Sequence, residues 1–424
     1  MKKFFVRKRW ITVAVNLASS LIIAACILLP SGCSNTKNAI FYYNRGSSYY
    51  DKGQYELAIS DYNKAIELNP NFDFVYNNRG LIYYDKGQYE LAISDYNKAI
   101  KLNLNFDTAY YNRGLCYADK GEYDKAILDY NKAIELKYNN YLAYLKRGLC
   151  YYNKGQYDKA ILDYNKAIEL NANLDSVYNN RGLCYADKGQ YELAISDYNK
   201  AIKLNPNLDT AYSNRGVSYH KKGQYELAIS DYNKAIKLNH NNDLAYNNRG
   251  LYYADKNKYD KAISDYNKAI KLNPNLDTAY SNRGISYHKK GQYELAISDY
   301  NKAIKLNPND DLAYYNRGLC YAKKKQYELA ISDYNKAIKL NPNDDIAYYN
   351  RGNSYADRNE FDKAISDYNK AIKLNDDNAN YYINRGVAYV GKKQLGKYCY
   401  DFKKACDLGI CKGYNLVKSK GVCN

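Results

Sequence analysis

The dipeptide Arg-Gly stands at residues 45–46, and it returns every 34 residues, without a gap, as far as 385–386. A period of that length constrains a chain strongly. Each copy is a small element that cannot bury its own apolar face, so the copies must stack on one another. Residues 107–140 show the unit. Tyr110, Gly114 and Tyr117 fall at i, i+4 and i+7, and Ala126, Tyr130 and Ala133 repeat that spacing. Both sets describe one face of a helix. Between them Asp119-Lys120-Gly121 reads as a turn, with glycine free to take a left-handed backbone at the helix end. Asn205-Pro206-Asn207 closes a unit at a proline that cannot continue a helix. The pattern predicts an all-α chain of eleven helix-turn-helix units over residues 39–409.

The chain holds 55 tyrosines but one Trp, one Met and eight Phe. One aromatic type copied at fixed positions explains this, and those positions are read as core rather than as a stacking surface for bases or cofactors. Gly114, Ala126 and Ala133 are the small residues that let two helices approach, with tyrosines filling the space between. The hydrophobic content of 46% excludes a disordered polyelectrolyte. Only three histidines are present for acid–base work near neutral pH.

Period, order and spacing resemble the tetratricopeptide repeat family, whose signature is W-x2-L-G-x2-Y, then A-x3-F, then P, in about 34 residues. Tyr110 stands at the family's Trp, Gly114 and Tyr117 match directly, and Ala126, Tyr130 and Ala133 follow. Tyrosine replaces both Trp and Phe, and Arg113 replaces Leu. Beside the core stripe, an arginine is expected to pack its stem and send its guanidinium to water. The resemblance implies an α-solenoid coiled as a right-handed superhelix, with first helices on its concave side. It also implies a scaffold that binds a partner protein or extended peptide there.

The sixth residue of each unit lies about 200° around the first helix from the core tyrosine. It is asparagine in ten units: Asn44, Asn78, Asn112, Asn180, Asn214, Asn248, Asn282, Asn316, Asn350 and Asn384, with Lys146 the exception. A row of asparagines can grip a peptide backbone without reading its side chains, and some members of the resembled family use one so. Tyr43, Tyr111, Tyr315 and Tyr349 beside them are expected to give apolar contact. A control tempers this, because the second helices repeat Asn63, Asn97 and Asn131 just as regularly on a face with no assigned groove. Positions that differ between units bear on selectivity instead. At the end of the first helix, units four, five and seven carry Asn153, Asp187 and Asp255, while units six, eight and nine carry Lys221, Lys289 and Lys323. His220 and His288 precede two of these lysines, too far apart to share a metal, so no metal site is expected.

The chain begins with Lys2, Lys3, Arg7, Lys8 and Arg9, followed by an uncharged run from Ile11 to Leu29. A cationic start and an apolar core are the parts of an export signal, assigned here to residues 1–25, with a short linker at 26–38. Ile23-Ala24-Ala25 before Cys26 resembles the lipobox of bacterial lipoproteins, and Cys33 is the alternative attachment site. An uncleaved signal anchor is the rival reading. The whole then resembles exported bacterial tetratricopeptide lipoproteins. It implies a cell-envelope protein on the periplasmic or extracellular face, held to the membrane by an anchor or lipid. Without the five leading cations the net charge of +18 falls to about +13, with both signs interspersed. No nucleic acid partner is expected of an exported chain.

Cys116, Cys150, Cys184 and Cys320 share one repeat position with Ser48, Ile82, Ser218 and Ala388, which reads as a packed slot holding free thiols. Cys399, Cys406, Cys411 and Cys423 crowd the end of the chain. If Gly409 turns residues 410–424 into a capping helix or tail, nested pairs Cys406–Cys411 and Cys399–Cys423 follow. A zinc site is the minority alternative, since paired C-x2-C spacing is missing. No G-x-S-x-G, phosphate loop or metal-binding histidine pair occurs, so a non-enzymatic scaffold without cofactors is expected. A structural or self-associating envelope protein with an empty groove, and an accessory subunit of an envelope enzyme, remain the alternatives.

Overall fold

The computed structural model describes residues 33–423. Residues 1–25 and Cys26 lie outside the described residues. Among the described residues all regular structure is helical, in eleven successive hairpins and a last short helix, Lys412–Ser419. The hairpin read from the repeat is the observed one: its first helix runs Asp107–Asp119 and its second Tyr123–Leu136. The first helix of the first unit is longer, Cys33–Asp51, and takes in part of the segment read as a linker. The chain forms two compact bodies, one ending at Pro206 and the other beginning at Asn207.

Each first helix ends as its sequence dictates. Gly121 takes φ +78°, its N–H donates to the Ala118 carbonyl, and the next N–H, of Glu122, donates back to Tyr117. The carbonyls of the last turn are thereby satisfied. Asn257, Lys325, Asn359 and Lys393 hold the same left-handed position in later units, at φ 56–61°. Within the hairpin, Tyr130 is fully buried against Gly114, and a Cβ built on that glycine would lie 2.8 Å from the ring. The glycine is therefore a requirement of close packing. Cys116, Cys150, Cys184 and Cys320 are buried and take no part in a disulfide. Burial pushes the thiols of Cys150, Cys184 and Cys320 up to about 12, which makes them inert packing groups.

Arginine at the seventh position behaves differently from the expectation. Arg113 does not send its guanidinium to water. Nε and Nη2 donate to the two carboxylate oxygens of Asp129 at 2.8 and 2.6 Å, and Nη1 donates to Asn97 of the preceding unit at 2.6 Å. Every unit repeats the Arg–Asp pair, from Arg45–Asp61 to Arg385–Asp401. A carboxylate on the second helix of the same unit gives the fork a bidentate partner that solvent cannot match in geometry. The third bond ties each unit to the one before. The second-helix asparagines Asn63, Asn97 and Asn131 thus have a structural use, accepting from Arg79, Arg113 and Arg147.

At the chain end Cys399 is bonded to Cys423 and Cys406 to Cys411. These bonds tie down Lys412–Ser419, a helix with no buried residue of its own. No helix among the described residues is long and apolar enough to cross a membrane.

Candidate functional site

Within each body the first helices of successive units approach one another more closely than the second helices do, so first helices line the inner face. The asparagine row on these helices is largely occupied. Asn78 Nδ2 donates to the Tyr43 hydroxyl at 3.1 Å, and Asn112 Nδ2 donates to Asn77 at 3.0 Å. In the second body Asn282 donates to Asn247 at 3.2 Å, Asn350 to Tyr315 at 3.0 Å, and Asn384 to Tyr349 at 2.8 Å. Each bond runs to the preceding unit. The sixth residue sits over the seam between units, so its amide meets a neighbour before it meets solvent. Asn112 is buried, whereas Asn44, which has no preceding unit, is exposed. Asn180, Asn214, Asn248 and Asn316 are half-buried.

The four tyrosines read as groove contacts belong to the same seam. Tyr43 is only 3% exposed, and burial pushes its hydroxyl up to about 12. Tyr111, Tyr315 and Tyr349 are half-buried against the core rings of Tyr130, Tyr334 and Tyr368, with ring centroids 5.8, 6.0 and 6.0 Å apart. A hydroxyl that accepts from the next unit is a structural group. The expectation of free apolar contact is corrected for Tyr43, which is closed off, while the rings of Tyr111, Tyr315 and Tyr349 stay half-buried.

What the inner face offers is another stripe. Leu312, Tyr315, Leu319 and Ala322 follow at i, i+3, i+7 and i+10 on the helix Asp311–Lys323, one continuous face. Its outer members stand in solvent: Leu312 is 60% exposed, Leu244 52% and Ile346 49%. The residue type varies along this line, with Thr210 and Thr278 in the sixth and eighth units. The sequence points to its fifth-position tyrosines but hides the second position, where threonines interrupt the apolar pattern. Reading every first helix at the second, fifth, ninth and twelfth positions would have found it.

The far end of the stripe carries a second seam. In the first body Tyr50, Tyr84 and Tyr152 donate to Asp85, Asp119 and Asp187 of the following unit at 2.9, 2.6 and 2.8 Å. In the second body His220 Nε2 meets Asp255 at 2.9 Å in the same way. His288 takes the equivalent place, and the next unit carries Lys323 where Asp255 stands for His220. Burial, with Lys289 and Lys323 adding to it, holds the imidazole below its ordinary value. No group of three or more metal-ligating side chains occurs among the described residues.

Family models described as TPR repeat match residues 46–87, 80–121, 148–189, 183–223, 251–291, 286–325 and 352–393. Models described as tetratricopeptide repeat match 108–137, 210–242 and 312–344, and also 231–264 and 333–366. No curated protein matches the chain. Among solved structures, that of the APC/C hetero-tetramer Cut9-Hcn1 matches at 16% identity over 93% of this chain and 97% of that one, with a TM-score of 0.50. That likeness shows the fold. YrrB, described as a TPR protein with an unusual peptide-binding site, is 29% identical over 43% of this chain and 95% of its own, with a TM-score of 0.39. Yeast Tom70 is 16% identical over 91% of this chain and 95% of its own, with a TM-score of 0.40.

Proposed function

Because the chain belongs to the tetratricopeptide repeat family, we propose that it is a non-enzymatic scaffold that holds an extended partner segment along the inner face of its first helices. One observation carries the reading. Leu244, Leu312 and Ile346 stand exposed in a row whose neighbouring polar groups are already satisfied within the protein. Exposed apolar side chains on a rigid inner face are what a partner segment buries. The seam asparagines hold that face in shape.

The place of action proposed is the cell envelope. A cationic, then apolar, N-terminus ending near Cys26 supports export and lipid attachment. A chain end with two disulfides suits an oxidising compartment.

The test is an array of immobilised twelve-residue peptides probed with the mature chain. The wild type should select a subset, and Leu244→Ser/Leu312→Ser/Ile346→Ser should lose it while keeping its helical circular dichroism. A variant that still binds the same subset refutes the inner-face reading and favours a structural envelope role. Radiolabelled palmitate that fails to enter the wild type, or that enters Cys26→Ser equally, refutes attachment at Cys26.

A further inference from the structure

The seam at the end of the first helices joins a donor on one unit to a carboxylate on the next, and it is satisfied internally where Tyr or His meets Asp across it. Tyr50–Asp85, Tyr84–Asp119, Tyr152–Asp187 and His220–Asp255 are four such pairs. Between the eighth and ninth units the acceptor is replaced. His288 stands in the place of His220 and Lys323 in the place of Asp255, with Lys289 next to the histidine on its own helix. Donor faces donor there, with two exposed ammonium groups next to a half-buried imidazole.

The surrounding acids do not supply the missing charge. Asp255 is engaged by His220, and Asp357 by the Tyr327 hydroxyl. Glu294 is paired with Lys324, and Asp260 with Lys290. Among the described residues neither Lys289 nor Lys323 has an ion-pair partner. The half-buried, apolar Ile285 and Leu319 lie one turn before His288 and Ala322 on the same stripe. The place therefore combines an apolar floor with a cationic end that lacks its counter-charge.

We propose that the junction of the eighth and ninth units, at His288, Lys289 and Lys323, binds a side-chain carboxylate of an acidic, apolar-flanked partner segment. That carboxylate takes the position that Asp fills at the equivalent junctions. The inference rests on the inner-face reading above and names the chemistry of what binds there. Charge complementarity carries it: an anion satisfies three donors that the fold leaves facing one another.

The probes are three fluorescein-labelled peptides with amidated ends, built on Ser-Leu-Glu-Leu-Glu-Leu-Ser: the Glu form, the Gln form and the Lys form. A fourth is the Gln form with a free C-terminal carboxylate. Fluorescence anisotropy with the full chain is read at about 0.05 M and about 0.3 M salt, where the screening length differs more than twofold. The Glu peptide should bind at least about tenfold more tightly than the Gln peptide at low salt, which is about 1.4 kcal/mol. That advantage should shrink at high salt and vanish in Lys289→Glu/Lys323→Glu, while Gln-peptide affinity is unchanged. Lys305→Glu, on the helix Tyr293–Leu306, should leave the advantage in place. Equal affinity for Glu and Gln peptides, or an advantage that survives the charge reversal, overturns the carboxylate site and leaves the inner-face reading standing. A gain confined to the free C-terminal carboxylate overturns the side-chain source. Failure of every peptide to bind the wild type overturns this proposal and the inner-face reading together.

Discussion

Asp129→Asn keeps the shape of the side chain and removes its charge, so it tests the Arg–Asp clamp with little steric change. The carboxylate accepts two bonds from Arg113, at 2.8 and 2.6 Å, from a site where the aspartate is 7% and the arginine 19% exposed. Two hydrogen bonds to charged groups contribute about 3–6 kcal/mol together. Arg113 rehydrates in part through its open edge, which brings the expected loss to about 2–4 kcal/mol. Arg113→Met should cost a similar amount, since it strands a buried carboxylate. The double variant Arg113→Met/Asp129→Leu should fall within about 1 kcal/mol of wild type, because both desolvation costs disappear with the charges. Stacked repeats do not unfold as one unit, so the assay is amide hydrogen exchange across residues 107–136. The single variants should speed exchange there by about 30-fold to 1,000-fold, at 1.36 kcal/mol per decade. Two losses that simply add in the double variant refute the clamp as a coupled pair.

Gly216→Leu should cost about 1–3 kcal/mol or more, because a Cβ there already lies 2.7 Å from the buried Tyr232 ring. Gly223→Asn should cost well under about 1 kcal/mol, since nothing lies near that glycine and Asn257 holds the same backbone in the next unit; amide hydrogen exchange in the sixth unit compares the two. Tyr368→Phe should lose about 0.5–1.5 kcal/mol, because its hydroxyl donates to Asn353 at 2.8 Å, whereas Tyr130→Phe removes a buried hydroxyl without a protein partner and should be neutral or stabilising. The depressed His288 contributes stability above its unfolded value that is lost as pH falls, so His288→Gln should flatten the pH dependence of exchange in its unit between about pH 6.5 and 5. Reduction of Cys399–Cys423 and Cys406–Cys411 should open residues 408–424 to trypsin and leave the earlier units protected, as read by mass spectrometry of the fragments.

The hairpin was legible because helix faces, the left-handed turn and the Gly114–Tyr130 contact all depend on short spacings that repeat. The clamp was not. Arg113 and Asp129 lie on different helices, and nothing in a separation of 16 residues says that two side chains meet. Asn97 looked idle for the same reason, since its partner belongs to the next unit. The asparagine row was placed on the right helix, but the angle from the core tyrosine describes an isolated helix. In the stack, that angle points at the preceding unit, and the amides of Asn78 and Asn384 close there on Tyr43 and Tyr349.

Recurrence and use by a partner therefore separate in this molecule. Residues that repeat in nearly every unit, Arg113, Asp129, Asn97 and the seam asparagines, are those that join one unit to the next, because every junction must be made alike. Residues facing no neighbour are free to vary, and Leu244, Thr278, Leu312 and Ile346 do so along one line. The sixth and eighth units sharpen the point. Residues 209–238 and 277–306 differ only at Val217 and Ile285, yet His220 meets Asp255 while the unit after His288 carries Lys323 in that place. Two nearly identical units thus present different chemistry, because the group that completes each one comes from its successor. If a partner segment lies on the inner face as proposed, its selectivity is a property of ordered pairs of units, set by unit order as much as by unit sequence.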